Sequence, residues 1–428
     1  MTSLLIKNAA IISPADDLKE TGDILVRDGK IEKIGKAPVL QEGDSVDRII
    51  DARGLRAVPG FVDMHVHLRD PGQTEKEDII TGCNAAAAGG VTSLLAMPNT
   101  IPTTDSPDTV RYILDKAKNA KAHVYVAASI TKGLKSAEPT DLEALRQAGA
   151  IGLSDDGRPV ENTRMLSDAM KRAPQLGMTV VAHCEDLFLA HGGKINEGEV
   201  SRALGVAGIP ASAEDCGTAR EIALAAAENV PIHICHVSTK TSVALVRDAK
   251  KRGVKVTAET APHYFSLTEQ ELLKRDADYR MNPPLRTAQD VKAIIDGLLD
   301  GTLDAIATDH APHTPQDKAD FEAAPNGSIG METSFAVANT YLVKTGLLTP
   351  EQLIYKMSVN PANILGIPAG TLKVGAPADI VLLDPDEQWT VDVDKLHGKS
   401  KNTPFKGMTL TGKVKLTVCG GKVVFDEI

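Results

Sequence analysis

Apolar residues fall in short runs separated by amphipathic stretches of helical period, and the two alternate along most of the chain. The opening run, 60–68, is followed by further buried strands expected at 91–97, 122–128, 150–154, 179–183, 231–236, 254–259 and 303–309. The intervening patterns predict helices over 75–88, 108–120, 140–148, 163–176, 213–228, 241–251 and 288–299, with one more over 331–343 after the last strand. Eight strands alternating with helices predict a (β/α)8 TIM-like barrel. The competing arrangement is an open doubly wound sheet, which carries a glycine fingerprint after an early strand. Here Gly89-Gly90 stands before its strand, which favours the barrel.

Both ends of the chain read differently. Short β runs at 4–6, 9–12, 23–26 and 30–34 are punctuated by turn residues, with a hairpin signal at Arg27-Asp28-Gly29-Lys30. Similar runs at 378–383, 413–418 and 422–425 close the chain, the last two joined by Gly420-Gly421. Neither end is long enough to bury a core alone, so residues 1–58 and 367–428 are expected to form one composite β-sandwich domain, with the barrel over 59–366.

A hydrophobic fraction of 42% with 24% charged residues is ordinary for a globular protein. The formal charge of −10 argues against nucleic acid or an anionic membrane as a main partner, and leaves a small-molecule substrate open. Five cysteines without regular spacing do not read as a disulfide framework. No signal peptide or membrane-length apolar run is evident, so a cytoplasmic protein is expected.

Chemistry enters with the opening strand. Read at a period of two, Val62, Met64, Val66 and Leu68 form one apolar face, while Phe61, Asp63, His65 and His67 form the other. Two histidines spaced i, i+2 can hold one metal ion from the same side. In a barrel the C-terminal strand ends meet at the active site. The groups expected there are His65, His67, Asn99, Asp155, Asp156, His183, His236 and Asp309. Four histidines with carboxylates point to a metal site, best suited to Zn²⁺, with Mn²⁺ or Co²⁺ able to substitute.

The ordered motifs are His65-Val66-His67-Leu68-Arg69-Asp70-Pro71-Gly72, Met97-Pro98-Asn99-Thr100, Asp155-Asp156-Gly157, Ala182-His183-Cys184-Glu185, His236-Val237-Ser238, Met281-Asn282-Pro283-Pro284-Leu285-Arg286 and Thr308-Asp309-His310-Ala311-Pro312-His313. Together they resemble the amidohydrolase superfamily and, within it, the bacterial type I dihydroorotases. That resemblance implies one or two Zn²⁺ ions among His65, His67, Asp156, His183, His236 and Asp309, with Asp309 also the catalytic base. It implies substrate contacts from His67, Arg69, Asn99, Asn282, His313, Asn326 and Gly327. Many superfamily members bridge two metals with a carbamylated lysine near strand four; residues 149–157 contain no lysine, so an aspartate is expected in that role. The implied activity is reversible hydrolysis of dihydroorotate to N-carbamoyl-aspartate in pyrimidine synthesis. The implied partners are a second copy of the chain and aspartate carbamoyltransferase. Rival readings are a dihydropyrimidinase, hydantoinase or allantoinase, or an inactive scaffold homologue.

The remaining histidines divide by context. His123 reads as a structural residue, and His233 as packing on the face opposite His236. His191 and His397 lie in polar segments and read as solvated, while His263 is open between lining the site and packing. His310 should point away from Asp309 and support a neighbour. Cys184 and Cys235 read as packing residues, and Glu185 as orienting a ligand.

Overall fold

In the computed structural model, which describes residues 3–36, 39 and 45–428, the buried runs pair side by side in chain order. The parallel strands are Phe61–Val66, Val91–Ala96, His123–Ala128, Gly152–Leu153, Thr179–Ala182, Ile232–Ile234, Val256–Thr260 and Ala305–Ile306. A parallel bridge between Val66 and His310, with His67 N donating to His310 O at 2.8 Å, brings the last strand back to the first. The sheet is the expected (β/α)8 barrel.

Strand lengths depart from the apolar runs that announced them. The eighth run, expected over 303–309, is laddered only at Ala305–Ile306. Beyond it, the Asp63 carboxylate takes the Thr308 N–H at 3.0 Å and its hydroxyl at 2.6 Å, and Asp309 turns out at a positive φ of 48°. The opening strand corrects a simpler expectation. Val62, Met64, Val66 and Leu68 do not share a face: Val62 and Met64 pack inside the barrel with Leu95, Met97 and Val181, whereas Val66 and Leu68 face the helices. Pairing with the next strand shifts register at Phe61/Val62 and again at Asp63/Val66, and such a bulge re-aims side chains.

Helix boundaries follow their caps. The first helix starts at Ile79 rather than 75 because the Asp78 side chain accepts from Ile80 N and Thr81 N. Thr163–Arg172 and Ala288–Leu299 begin behind Asn162 and Thr287 caps. The stretch expected as helix over 331–343 is a short α-helix, Ser334–Ala338, running into a wider turn, Asn339–Val343. At the N-terminal end of the barrel, Ala362 and Leu365 of helix Asn360–Leu365 join the apolar interior.

Both ends of the chain build one sheet in the order Lys422–Asp426, Thr409–Cys419, Ile380–Thr390, Arg56–Pro59, Ser3–Ser13, Leu18–Arg27 and Lys30–Gly35, with Arg48–Asp51 pairing against Ser3–Ser13. The runs at 4–6 and 9–12 form a single strand with a register shift between Ile6 and Ala9. Gly420 and Gly421, both at positive φ, make the tight turn expected of them. Leu4, Ile6, Ile24, Ile380, Leu382 and Leu416 bury a shared core, the sandwich expected from both termini. Arg56–Pro59 was not legible as a strand. It pairs with Ile380–Thr390 and is separated from the first barrel strand by Gly60 alone, so the sheet runs straight into the barrel.

Candidate metal centre

His65, His67, Asp156, His183, His236 and Asp309 converge where the sequence puts the C-terminal strand ends. His65 Nε2 lies 3.2 Å from Asp156 Oδ1 and 3.6 Å from Asp309 Oδ1. His67 Nε2 lies 3.0 Å from Asp309 Oδ1 and 3.5 Å from Asp156 Oδ2. On the other side, Asp156 Oδ1 is 3.5 Å from His183 Nδ1 and 3.7 Å from His236 Nε2. All six are buried. His65 Nε2 and Asp156 Oδ1 have no hydrogen-bond partner among the described residues although they face each other. Ligands around one tetrahedral ion at 2.0–2.1 Å stand about 3.3 Å apart. Unpaired donors at that spacing, in a nitrogen and oxygen set, fit a divalent ion.

The backbone is strained where it presents these groups. Arg69, His236 and Asp309 all have positive φ, at 60°, 36° and 48°. Burial alone would raise the Asp309 carboxyl, but the hydrogen bond from His67 and the nearby histidines hold it far below the ordinary range. Asp155 turns away from the cluster. It accepts from Ile130 N at 2.7 Å and Thr131 N at 3.2 Å, and also from the Thr131 hydroxyl, with burial pushing its pKa up to about 6.

Beside the cluster sits a buried guanidinium. Arg69 is 9% exposed, its Nε donates to Pro312 O at 3.2 Å, and its Nη2 is 3.4 Å from His313 Nε2. Burial lowers the guanidinium to about 10, still charged at neutral pH. Asn99 is tied to the cluster: its Oδ1 meets His67 Nδ1 at 2.8 Å and its Nδ2 donates to Asp156 Oδ2 at 3.3 Å. Asn282 Nδ2 donates to Glu185, whose Oε2 is 3.2 Å from His183 Nε2, so Glu185 does orient one of the clustered histidines. The buried Asn282 Oδ1 is left without a partner among the described residues. Asn326 and Gly327 lie against His313 and Arg280. Asn326 O meets His313 Nε2 at 2.9 Å, and Gly327 N donates to Arg280 O at 2.9 Å, so these backbone groups are engaged within the chain. A Cβ on Gly327 would come 2.8 Å from Ala311 Cβ, and its φ of 139° suits glycine.

Three supports went unread in the sequence. Glu259, fully buried, sits 3.6 Å from His65 Nδ1 and 3.3 Å from His233 Nε2, so His233 backs the cluster through a carboxylate. Asn402 arrives from the C-terminal segment to hold Ala311 O, Gly327 O and His313 N at 3.0–3.2 Å. Lys318 Nζ donates to Ala277, Arg280 and Pro325 carbonyls, strapping the loop that carries Asn326. The polar residues of other segments gave a period-based reading nothing to detect. His263 is buried against Tyr264 and pushed down to about 4, so it is neutral. His310 accepts from Gly330 N, turned away from the cluster as expected. His397 pairs with Glu332, and His191 ends a short helix at the surface.

Residues 56–424 match the family model described as the amidohydrolase family. The chain belongs to that family. Among curated amidohydrolases it is 49% identical over 427 residues to a dihydroorotase of Geobacter metallireducens, covering 99% of this chain and 100% of that one. A dihydroorotase of Geotalea daltonii is 48% identical over 427 residues, covering 99% of both. Among solved structures, an L-hydantoinase (dihydropyrimidinase) from Arthrobacter aurescens superposes with a TM-score of 0.89 at 27% identity, covering 100% of this chain and 97% of that one. No helix among the described residues is long and apolar enough to cross a membrane.

Proposed function

We propose that this amidohydrolase is a dihydroorotase, opening the ring of dihydroorotate to N-carbamoyl-aspartate and closing it in the biosynthetic direction. The observation that carries the reading is Arg69, buried and charged beside the histidine cluster with His313 at its side. A buried guanidinium needs an anion, and its planar fork fits a carboxylate. Dihydroorotate carries one; hydantoins and dihydropyrimidines do not carry the same group. The identity of 49% to a dihydroorotase against 27% to a hydantoinase supports the same choice.

His65, His67, Asp156, His183, His236 and Asp309 would hold one or two Zn²⁺ ions. Bound there, zinc lowers the pKa of water toward about 7 and draws electron density from a carbonyl. The chain's own groups do the rest. Arg69, Asn99 and His313 hold the substrate carboxylate and fix the ring carbonyl over the cluster. Asn282 reads the amide edge with its unpaired Oδ1, while Glu185 keeps its Nδ2 in place. Asp309 takes the proton from the attacking water and delivers it to the ring nitrogen as the C–N bond breaks; in reverse it takes that proton back. The buried surroundings keep bulk water from competing for these contacts.

The same reading places the protein in the cytoplasm, divides the chain into the composite domain 1–58 and 367–428 around the barrel, and includes a homodimer able to associate with aspartate carbamoyltransferase. Sedimentation with and without that enzyme tests the assembly. An ultraviolet assay of dihydroorotate ring opening, with metal analysis on the same sample, tests the activity. Turnover of hydantoin with none of dihydroorotate would overturn it.

A further inference from the structure

A second set of metal-binding side chains lies at the opposite end of the barrel, and the reaction makes no use of it. His123 opens the third barrel strand, Asp379 precedes strand Ile380–Thr390, and Cys419 ends strand Thr409–Cys419. One donor atom from each, a ring nitrogen, a carboxylate oxygen and the thiol sulfur, lies within 4.8 Å of the other two. The catalytic groups follow the far ends of the strands, and His123–Ala128 is six residues long, which separates the two sets by about 20 Å.

We propose that His123, Asp379 and Cys419 form a second divalent-cation site, of zinc-binding chemistry, that clamps the terminal sheet to the barrel. The donor set is the first argument. Imidazole, carboxylate and thiolate together favour Zn²⁺ over the hard ions Mg²⁺ and Ca²⁺. A carboxylate and a thiolate also neutralise a doubly charged ion. Preorganisation is the second. Asp379 is 5% exposed, and its Oδ1 accepts from Gly420 N at 2.7 Å while lying 3.2 Å from His123 Nε2. The Cys419 thiol donates to Thr92 O at 3.6 Å, a weak contact that fixes the sulfur beside the other two groups and that metal binding would replace as the proton leaves. Access is the third argument. A cavity of about 410 Å³, lined by His123, Tyr125, Cys419 and Gly420 among others, opens onto the site and leaves room for a fourth ligand from solvent. An ion pair between His123 and Asp379 accounts for two of the three residues but not for a thiol placed within reach of both.

Cobalt separates this site from the catalytic one. The six residues of the catalytic cluster offer only nitrogen and oxygen donors, and the sulfur of Cys235 lies beside them, within 4.8 Å of a His65 ring nitrogen. Chelator-treated protein reloaded with Co²⁺ should show a near-ultraviolet thiolate-to-cobalt band only if a cysteine binds, and variants of Cys419 and Cys235 tell the two ends apart. The expected result is a band that saturates with Co²⁺, disappears in Cys419→Ser and persists in Cys235→Ser, the latter controlling for the cysteine beside His236. His123→Gln, a change at a half-exposed position, should raise the Co²⁺ concentration for half-saturation of that band at least tenfold. Metal content should fall by one equivalent in Cys419→Ser. No band at saturating Co²⁺, a band surviving Cys419→Ser, or equal metal content in Cys419→Ser and the unaltered protein would each overturn the proposal.

Discussion

At the C-terminal ends of the barrel strands, His65 Nε2, Asp156 Oδ1 and Asn282 Oδ1 are buried without hydrogen-bond partners among the described residues, and Arg69, His236 and Asp309 sit at positive φ. At the other end, Lys356 Nζ donates to Leu303 O at 2.7 Å, Asn360 Nδ2 to Asp304 O at 2.8 Å, and Thr179 Oγ1 to Ile364 O at 3.0 Å. Ala362 and Leu365 fill the space between these contacts. One set of strands thus ends in unmet valence on one side and in satisfied polar caps over apolar packing on the other. The upper rim tolerates unpaired groups because ion and substrate complete them, and the floor supplies the stability that holds them there.

Substitutions can test that division. The largest effect is expected at Asp309: Asp309→Asn should lower kcat for dihydroorotate at least about a thousandfold by removing the proton acceptor, while the thermal midpoint stays close to that of the unaltered protein. Steady-state rates beside a melting curve check both halves. Arg69→Ala comes next, with kcat/KM for dihydroorotate down by about 10²–10³, the worth of a charge-assisted contact of about 3–4 kcal/mol. A neutral dihydropyrimidine should lose far less, and equal losses would remove Arg69 from carboxylate binding. Leu365→Ala should reverse the pattern, costing about 2–4 kcal/mol in denaturant unfolding with kcat nearly unchanged. A large kcat loss there would mean that floor and rim are not separable.

The smallest effect is a pH dependence at the floor. Burial lowers Lys356 to about 8, below its ordinary 10.5. Between these values the unfolded chain binds the proton and the folded one does not, so stability rises with pH across that window. Relative to Lys356→Met, the unaltered protein should gain up to about 3 kcal/mol from pH 8 to 10.5, read from unfolding curves at each pH. A constant difference would place the lysine's charge in water.

The same contrast explains what the sequence disclosed. His183, His236 and Asp309 were legible because a polar residue closing an apolar run marks a strand end, and a barrel gathers strand ends. Asp156 beside Asp155 was separable only through family motifs; the structure sets it among the histidines and gives Asp155 to Thr131. Asn402 and Glu259 escaped because their meaning lies in contacts with distant segments, with no local pattern to flag them. The bulge in the opening strand was equally hidden, since a period of two carries no trace of an inserted residue.

The junction at Gly60 also bears on how the molecule is made. Strand Arg56–Pro59 leads directly into the barrel, yet its neighbour on one side is Ile380–Thr390, paired through Pro59 and Ile380. During synthesis at about 5–20 residues per second, that edge waits roughly 15–60 s for its partner to leave the ribosome. Throughout that interval the nascent sheet offers an unpaired strand beside apolar residues that are buried in the finished protein. The vulnerable period in the life of this chain is therefore its own translation, and slower translation should lengthen it.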